Sequence, residues 1–253
     1  MEPIKKKPAD WTKEDIANFW DWQSKNASRT QQYFTASLAG GIVEFLKKKG
    51  LLKGKVLDYG CGAGHLLAQM VKETDAEFYG LDFSQDSITA TKARIGANAR
   101  LKQLILGDTM PTVLGDAQFD TITLIETIEH LQDDQLHATM YELSRVLKTG
   151  GYIFITTPFN EDLEKHLNFC PFCKSEFHHM QHMQTFDISS LTTLGKEHGF
   201  NVEYCNNIDI EKFKLGPVKY FIKDKLKKTG IYMGLMENIY TKDPNLIAIF
   251  SKP

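Results

Sequence analysis

The stretch VLDYGCGAGHL, residues 56–66, limits what this chain can fold into more than any other part of the sequence. Three glycines, Gly60, Gly62 and Gly64, alternate with other residues between an apolar run and the start of an expected helix. Glycine adopts backbone angles that other residues resist, and a loop with few side chains lets a ligand reach the N–H groups of a helix N-terminus. The stretch therefore predicts a strand, a ligand-binding turn and a helix, with an ordinary tight turn as the alternative.

Much of the chain alternates between apolar runs of strand length and amphipathic runs of helix length. The expected strands are 55–59, 77–82, 101–106, 119–125, 151–157, 200–205 and 245–250. The expected helices are about 63–73, 85–96, 133–147, 187–198 and a lysine-rich 217–228. This alternation predicts an α/β fold in which helices cover both faces of a mostly parallel sheet and ligands bind at the carboxyl ends of the strands.

Two segments stand apart from this alternation. Residues 1–50 carry many aromatic residues and end in LAGGIVEFLKKKG, a helix that Gly50 would terminate, so we expect a helical N-terminal cap. Residues 158–186 are rich in cysteine and histidine and are expected to form an insert within the main domain, residues 51–253. A chain of 253 residues with 42% hydrophobic content is long enough to bury a full core.

The order of the glycines separates two classes of nucleotide-binding loop. The dinucleotide fingerprint is G-x-G-x-x-G, whereas this chain has D-x-G-x-G-x-G, with His65 where a nicotinamide-binding loop requires glycine or alanine. The pattern opened by Asp58 resembles the first motif of the class I S-adenosylmethionine-dependent methyltransferases, a Rossmann-like family with a seven-stranded sheet. Three later stretches, EFYGLDFS, LILGDTM and FDTITLIETIEHL, match the family in the same order. The resemblance covers about residues 51–157, and a nicotinamide oxidoreductase is the alternative enzyme class.

The resemblance implies that S-adenosylmethionine is the cofactor. Asp82 ends the second expected strand and would accept hydrogen bonds from the ribose hydroxyls. Asp108 follows the third strand and would contact the adenine amino group; the alternative is that both aspartates only cap turns. The residues expected to bind the cofactor are Asp58, Gly60, Cys61, Gly62, Gly64, Asp82, Phe83, Asp108, Thr109 and Glu126.

The sequence ETIEH places Glu126, Glu129 and His130 at spacings that share one face if the chain turns helical after the fourth strand. It resembles a segment of ubiquinone-biosynthesis O-methyltransferases and small-RNA 3′-terminal methyltransferases in which these residues help hold a divalent cation. The RNA enzymes add another histidine about fifty residues on, which would be His179 or His182. Such an ion, for example Mg²⁺, would acidify a substrate hydroxyl; without it, His130 is the expected catalytic base beside Glu129. The alternative is that Glu129 and His130 only cap or pair.

The insert contains CPFCKSEFHHMQHMQTF, in which Cys170, Cys173, His178 and His182 have the spacing of a tetrahedral zinc site. A structural Zn²⁺ would fold this segment into a lid over the acceptor pocket. The pattern is similar to an insert in bacterial sugar and natural-product methyltransferases. Two alternatives remain: a loop with free thiols, and a single shared metal in which His182 or His178 completes the Glu126, Glu129 and His130 cluster.

The resemblance and the composition together favour one function. Nothing is similar to the NPPY or DPPY motif of amino-directed nucleic-acid methyltransferases, and a net charge of -2 argues against nucleic-acid binding over the whole surface. We therefore expect O-methylation of a small-molecule or carbohydrate hydroxyl. A metal-dependent RNA ribose 2′-O-methyltransferase and a non-catalytic cofactor-binding partner protein are the alternatives.

Cellular context is read from weaker signals. No signal peptide and no apolar stretch of membrane-spanning length are visible, so the expected location is the cytoplasm and the expected state is a monomer or homodimer. The lysine-rich stretch EKFKLGPVKYFIKDKLKKTG is interpreted as the solvated face of a helix, or alternatively as a contact surface for an anionic partner.

Overall fold

The computed structural model describes residues 11–107, 109–172, 174–216, 219–221, 225 and 245–253. The strands within these residues are β1 (Lys55–Tyr59), β2 (Glu77–Asp82), β3 (Leu101–Leu106), β4 (Phe119–Ile125), β5 (Leu147–Pro158), β6 (Leu167–Phe169), β7 (Glu176–His178), β8 (Asn201–Ile208) and β9 (Asn245–Ser251). The helices are α1 (Lys13–Lys25), α2 (Ala27–Thr30), α3 (Phe34–Lys48), α4 (His65–Glu73), α5 (Gln85–Ile95), α6 (Asp133–Val146), α7 (Ile188–Glu197) and α8 (Glu211–Leu215).

Seven strands form one sheet in the order β3-β2-β1-β4-β5-β9-β8. The first five strands in this order are parallel to one another, whereas β9 is antiparallel to both β5 and β8. The order reverses at β1, which lies between β2 and β4, and in sheets of this kind the ligand crevice opens at that switch point. The predicted mostly parallel, Rossmann-like sheet is confirmed.

The core lies on both faces of this sheet. On one face, Ile42 and Leu46 of α3 are fully buried in the same cluster as Val56 of β1 and Leu67 of α4. On the other face, α6 and α7 pack residues such as Met140 against the sheet. Helix α3 therefore shares the core of the sheet, while α1 lies nearer the mouth of the cavity described below.

The predicted boundaries differ from the observed ones at a few points. Strand β5 begins at Leu147, directly after α6, and β8 continues to Ile208. The insert contains a hairpin, β6 paired antiparallel with β7, that the sequence analysis did not predict because three-residue strands are too short to show alternation. Most of the predicted helix 217–228 lies outside the described residues. Among the residues that are described, no helix has both the length and the apolar character needed to cross a membrane.

Candidate active site

The glycine loop between β1 and α4 requires glycine for two reasons. Gly60, Gly62 and Gly64 have φ angles of 76°, 51° and 75°, a region that favours glycine. A Cβ atom on Gly64 would also lie 2.7 Å from the side chain of Thr91, and one on Gly60 would lie 2.8 Å from Thr127 Oγ1. The backbone therefore runs close to its neighbours and presents few side chains to the adjoining cavity.

Asp82, at the end of β2, fixes this loop. Its two carboxylate oxygens accept hydrogen bonds from the N–H groups of Gly62 (2.8 Å) and Ser84 (2.9 Å). Burial raises the pKa of Asp82 to about 6. Asp58 on β1 accepts a hydrogen bond from the Thr123 hydroxyl (2.7 Å), and burial raises its pKa to about 7. Two buried carboxyl groups thus stand beneath the loop.

A cavity of about 1510 Å³ opens at the carboxyl ends of the central strands. Pockets for drug-sized ligands typically measure ~300–1,000 Å³, so this cavity has room for a cofactor and an acceptor together. Gly64 lies outside its wall, and Asp108 lies outside the described residues. The predicted residues that line the cavity are Asp58, Gly60, Cys61, Gly62, Asp82, Phe83, Thr109, Glu126, His130, His179 and His182.

The expected common helical face of the ETIEH segment is wrong. Glu126 has a φ of 47°, in the left-handed region, and only Ile128–His130 forms a single 3-10 turn. The Glu126 carboxylate accepts hydrogen bonds from the Thr156 hydroxyl (2.8 Å) and the Asn245 amide (3.4 Å). Its left-handed backbone breaks the helical spacing, so Glu126 is directed to β5 and β9 rather than aligned with Glu129 and His130.

Glu129 and His130 form a buried pair beside the cavity. Glu129 Oε2 accepts a hydrogen bond from the Thr157 hydroxyl (3.0 Å). Glu129 Oε1 has no hydrogen-bond partner among the described residues and lies 3.8 Å from His130 Nε2. Burial raises the pKa of Glu129 well above its usual range and lowers that of His130 to about 3. The pair therefore combines a carboxyl group of raised proton affinity with a neutral imidazole.

The insert holds this pair in place through its backbone and two glutamines. The N–H groups of Met183 (2.8 Å) and Gln184 (3.2 Å) donate to the Glu129 carbonyl, and the Gln181 amide donates to the His130 carbonyl (3.3 Å). Gln181 in turn accepts a hydrogen bond of 2.6 Å from Trp20 Nε1 of α1. No motif marks Trp20 or Gln181; the aromatic character of the N-terminal segment was the only sequence signal.

Among the residues that the structure describes, two groups of side chains in and beside the insert could hold a metal ion. One consists of Glu129, His130 and His182, and the other of Glu161, His178 and His182; within each group the ligand atoms lie within 4.8 Å of one another. The His182 ring stands 4.7 Å from the His130 ring and 4.5 Å from the His178 ring. His182 is thus common to both groups, whereas Glu126 and His179 belong to neither.

The structure brings together two of the four predicted zinc ligands, His178 and His182, but not Cys170. His178 pairs with Leu167 in the hairpin, while Cys170 lies three residues further along, about 10 Å away at the usual rise per strand residue. Within the described part of the chain, Cys170 therefore joins no group with His178 and His182. Cys173 lies outside the described residues.

The comparisons with known proteins agree with the glycine loop and the sheet. A sequence model described as a methyltransferase domain matches residues 29–204. The chain belongs to the S-adenosylmethionine-dependent methyltransferases. The methyltransferase is 28% identical over 170 residues to the ubiquinone biosynthesis O-methyltransferase of Aliivibrio fischeri, over 63% of this chain and 66% of the relative. It is 34% identical over 126 residues to sterol 24-C-methyltransferase erg6 of Aspergillus fumigatus, over 46% of this chain and 33% of the relative.

A solved structure gives the same fold. The 1,6-didemethyltoxoflavin-N1-methyltransferase of Burkholderia thailandensis, solved with 1,6-didemethyltoxoflavin and S-adenosylhomocysteine, has a TM-score of 0.61 to the methyltransferase at 14% identity, covering 96% of this chain and 91% of that chain. This low identity supports a shared fold alone. The alignments with the two sequence relatives reach no more than 66% of their lengths.

The residues present in the methyltransferase fit S-adenosylmethionine. The glycine loop leaves backbone exposed along the cavity where added Cβ atoms would collide with neighbours. Phe83, directly after Asp82, is 39% exposed on the cavity wall, which provides an apolar surface for an adenine ring. Asp82 retains lone pairs beyond the two N–H bonds it accepts, since a carboxylate offers about four acceptor positions.

Proposed function

We propose that this methyltransferase transfers a methyl group to a hydroxyl oxygen of a small molecule or carbohydrate. The observation that carries the proposal is the buried Glu129 and His130 pair that follows β4: His130 lines the cavity, and Glu129 lies buried behind it. When bound, S-adenosylmethionine supplies a sulfonium methyl group that is already activated, so the protein has to position the acceptor and remove its proton.

Asp82 and the glycine loop hold the nucleoside half of the cofactor in this proposal. Asp82 would accept hydrogen bonds from the ribose hydroxyls, and Phe83 would provide an apolar surface for the adenine. Glu126 and the turn that follows β4 would then adjoin the end of the cofactor that supplies the methyl group. The acceptor then occupies the remaining part of the cavity, between that turn and the insert.

Proton removal falls to the Glu129 and His130 pair. As the acceptor oxygen bonds to the methyl carbon, the carbon–sulfur bond breaks, its electron pair returns to sulfur and the hydroxyl proton must leave. Glu129 Oε1 has no hydrogen-bond partner among the described residues, and its raised pKa makes Glu129 a stronger base than an exposed glutamate. The lowered pKa of His130 weakens the expectation that its imidazole is the sole base.

A divalent cation at Glu129, His130 and His182 is the second candidate for the same step. Its support is the convergence of one ligand atom from each residue. Buried imidazoles with pKa values of about 3 for His130 and His182 stay unprotonated near neutral pH, the form that binds a metal. A cation held there would acidify the acceptor hydroxyl directly.

The names of the relatives leave the acceptor atom open, because one of them is an O-methyltransferase and another a C-methyltransferase. What favours oxygen here is the buried carboxyl and imidazole pair, since a hydroxyl is a poor nucleophile until it loses its proton. The cavity also has room for a compact acceptor. In addition, the sequence contains no recognisable RNA-binding module, which argues against an RNA acceptor.

The test is a screen of methyl acceptance from labelled S-adenosylmethionine, using small-molecule, carbohydrate and RNA fractions. Glu129→Gln and His130→Gln should each lower kcat by about 10²–10⁴-fold, the usual contribution of proton transfer, and leave S-adenosylhomocysteine affinity nearly unchanged. Activity abolished by a chelator and restored by a divalent transition metal, in Glu161→Gln as well as in wild type, would select the second candidate.

Other outcomes oppose the proposal. Acceptance that disappears after ribonuclease treatment would point to an RNA ribose, and a labelled product methylated on nitrogen or carbon would exclude a hydroxyl acceptor. Cofactor binding without methyl transfer to any fraction would favour a non-catalytic binding protein.

A further inference from the structure

Three side chains of the insert converge outside the pair that the proposed reaction uses. Glu161 lies after β5, His178 ends β7 and His182 lies in the turn that follows. Glu161 Oε2 makes a close contact with His182 Nδ1, and Glu161 Oε1 lies 3.6 Å from His178 Nε2. One carboxylate is therefore shared by two imidazoles.

His178 supplies an independent sign that something is missing from this group. Its residue is only 2% exposed, and its Nε2 atom has no hydrogen-bond partner within the described residues. The backbone N–H of His182 lies 3.3 Å from His178 Nδ1, so Nε2 is the nitrogen that faces the carboxylate. A buried ring nitrogen without a partner is costly, and a bound ligand would remove that cost.

We propose that Glu161, His178 and His182 hold a transition-metal dication such as Zn²⁺. Ligands about 2.0–2.1 Å from a tetrahedral ion lie about 3.3 Å from one another, close to the 3.6 Å that separates His178 Nε2 from Glu161 Oε1. The three ligands leave a fourth position for water. This site uses neither Cys170 nor Cys173, and it stands whether or not the proposed acceptor chemistry is right.

The donor set selects the kind of ion. Two imidazoles and one carboxylate suit Zn²⁺, Co²⁺ or Ni²⁺, whereas Mg²⁺ and Ca²⁺ prefer oxygen ligands alone. Burial lowers the pKa of His178 to about 4 and that of His182 to about 3, so both rings are in their neutral, ligating form at physiological pH.

The ion would join parts of the molecule that no strand pairing joins directly. Glu161 follows the sheet strand β5, whereas His178 and His182 belong to the hairpin and the turn after it. Because the same turn carries Gln181, which bonds to the His130 carbonyl, the ion would also fix the part of the insert that contacts the Glu129 and His130 turn. The insert is too short to own a core, so a metal is an effective way to hold it.

The experiment is a titration of chelator-treated, full-length protein with Co²⁺, followed by its visible absorption and confirmed by metal content after loading with Zn²⁺. Wild type should bind one Co²⁺ with the strong bands of four-coordinate geometry. His178→Gln and Glu161→Gln should each lower the affinity for Co²⁺ at least about tenfold, since loss of a contact at a metal site typically lowers metal affinity by 10–100-fold.

Two control variants separate this site from its neighbours. His166→Gln removes another histidine whose ring lies 6.2 Å from that of His178 but which is not part of the group, and Co²⁺ affinity should not change. Glu129→Gln removes a ligand of the other group and should also leave the Co²⁺ spectrum intact. Calorimetry with S-adenosylhomocysteine confirms that each variant is folded.

Several results would overturn the proposal. If wild type does not bind Co²⁺, the role of Glu161 is limited to its contacts with the His178 and His182 rings. Loss of binding in Glu129→Gln, with His178→Gln unaffected, would place the ion in the other group. A sulfur-to-cobalt absorption band that vanishes in Cys173→Ser would assign the ion to the cysteines. If His178→Gln fails to fold, Glu161→Gln decides the same question.

Discussion

The two sides of the cavity satisfy their polar groups in different ways. On the cofactor side, Asp82 is bound by the N–H groups of Gly62 and Ser84, which lie on the loop and turn at the ends of β1 and β2. On the acceptor side, Glu129 Oε1 and His178 Nε2 are buried without hydrogen-bond partners among the described residues. Both carboxylate oxygens of Asp82 are thus held by backbone N–H groups, whereas Glu129 Oε1 and His178 Nε2 leave capacity for a substrate or an ion.

The backbone shows the same difference. The left-handed positions in the cofactor loop are glycines, which adopt them at little cost. On the acceptor side, Glu126, Asn160 and Gln181 have φ angles of 47°, 49° and 60°, which are uncommon for residues with a side chain. Such strain persists only where surrounding contacts enforce it, and it concentrates at sites that bind or react. The following three changes test this comparison, in order of decreasing expected effect.

The largest effect is expected from Asp58→Asn on the cofactor side. Burial holds the pKa of Asp58 at about 7, against an ordinary value of 3.8. Between these values the folded protein keeps a proton that the unfolded chain has lost, so this group's stabilising contribution declines as pH rises through about 7. The variant should match wild type near pH 4 and exceed its free energy of unfolding by up to about 4 kcal/mol at pH 8.

Thermal unfolding of the cofactor-free proteins across this pH range measures the effect. If Asp58→Asn were more stable than wild type by the same amount at pH 4 and at pH 8, packing and not ionisation of Asp58 would account for the difference. A loss of stability at pH 8 would mean that the Asp58 carboxylate is held by favourable charge interactions, against the burial described above.

A smaller effect is expected from Gly64→Ala, compared with Gly96→Ala at the end of α5. Gly64 lies in the left-handed helical region, with φ 75° and ψ 22°, whereas Gly96 has φ 65° and ψ -157°, a region that only glycine adopts readily. An added Cβ would lie 2.7 Å from Thr91 at Gly64 and meet nothing within 4 Å at Gly96. Gly96→Ala should cost about 1–3 kcal/mol of stability from backbone strain alone. Gly64→Ala should cost about 1–2 kcal/mol from backbone strain and about 1–3 kcal/mol more from crowding against Thr91.

Calorimetry then compares the affinity of the two glycine variants for S-adenosylhomocysteine. We expect Gly64→Ala to weaken binding at least about tenfold, equivalent to about 1.4 kcal/mol, and Gly96→Ala to leave it unchanged. A loss of only about 1–2 kcal/mol in Gly64→Ala, the cost of backbone strain alone, would mean that Thr91 moves aside freely, and the cofactor loop would then be less tightly packed than the structure indicates.

The smallest effect is expected from Trp20→Phe on the acceptor side. The variant keeps an aromatic ring near His130, whose ring lies 4.8 Å from that of Trp20, and removes the N–H donor to Gln181. Loss of one such hydrogen bond costs about 0.5–1.5 kcal/mol, so kcat/KM should fall by about tenfold or less. Trp22→Phe on the same helix, where Trp22 is 52% exposed, serves as the control.

Steady-state kinetics and S-adenosylhomocysteine calorimetry distinguish the two sides of the cavity in that experiment. The affinity for the product nucleoside should be the same in wild type, Trp20→Phe and Trp22→Phe. If Trp20→Phe weakens S-adenosylhomocysteine binding by the same factor as it lowers kcat/KM, α1 acts on the cofactor side. The assignment of Trp20 to the acceptor side is then wrong.

The cofactor side could be predicted from the sequence because its constraints are local. The alternating glycines and an acidic residue at the end of the next strand define the loop, and Gly62 and Asp82 are only 20 positions apart. Strand and helix order followed from the same local periodicity. The contact of Asp108 with adenine stays a prediction, since that residue lies outside the described part of the chain.

The acceptor side could not be predicted to the same depth because its contacts span the chain. Trp20 and Gln181 are 161 positions apart, and neither belongs to a motif. The zinc prediction relied on spacing in CPFCKSEFHHMQH, but pairing of β6 with β7 separates Cys170 from His178 along the hairpin. The ETIEH prediction assumed helical continuity that the left-handed backbone of Glu126 interrupts.

Strand β9 has a consequence for the order in which the molecule is made. It follows β5 and β8 in sequence yet lies between them in the sheet, with every residue buried. While a ribosome is still adding the residues before Asn245, at about 5–20 residues per second, β5 and β8 have emerged without the strand that joins them. The hydrogen bond from the Asn245 amide on β9 to the Glu126 carboxylate also cannot form before β9 has been made. The nascent protein therefore exposes the unpaired edge of the largely buried strand β5, where another strand could pair wrongly, until β9 pairs with both β5 and β8 and completes the sheet.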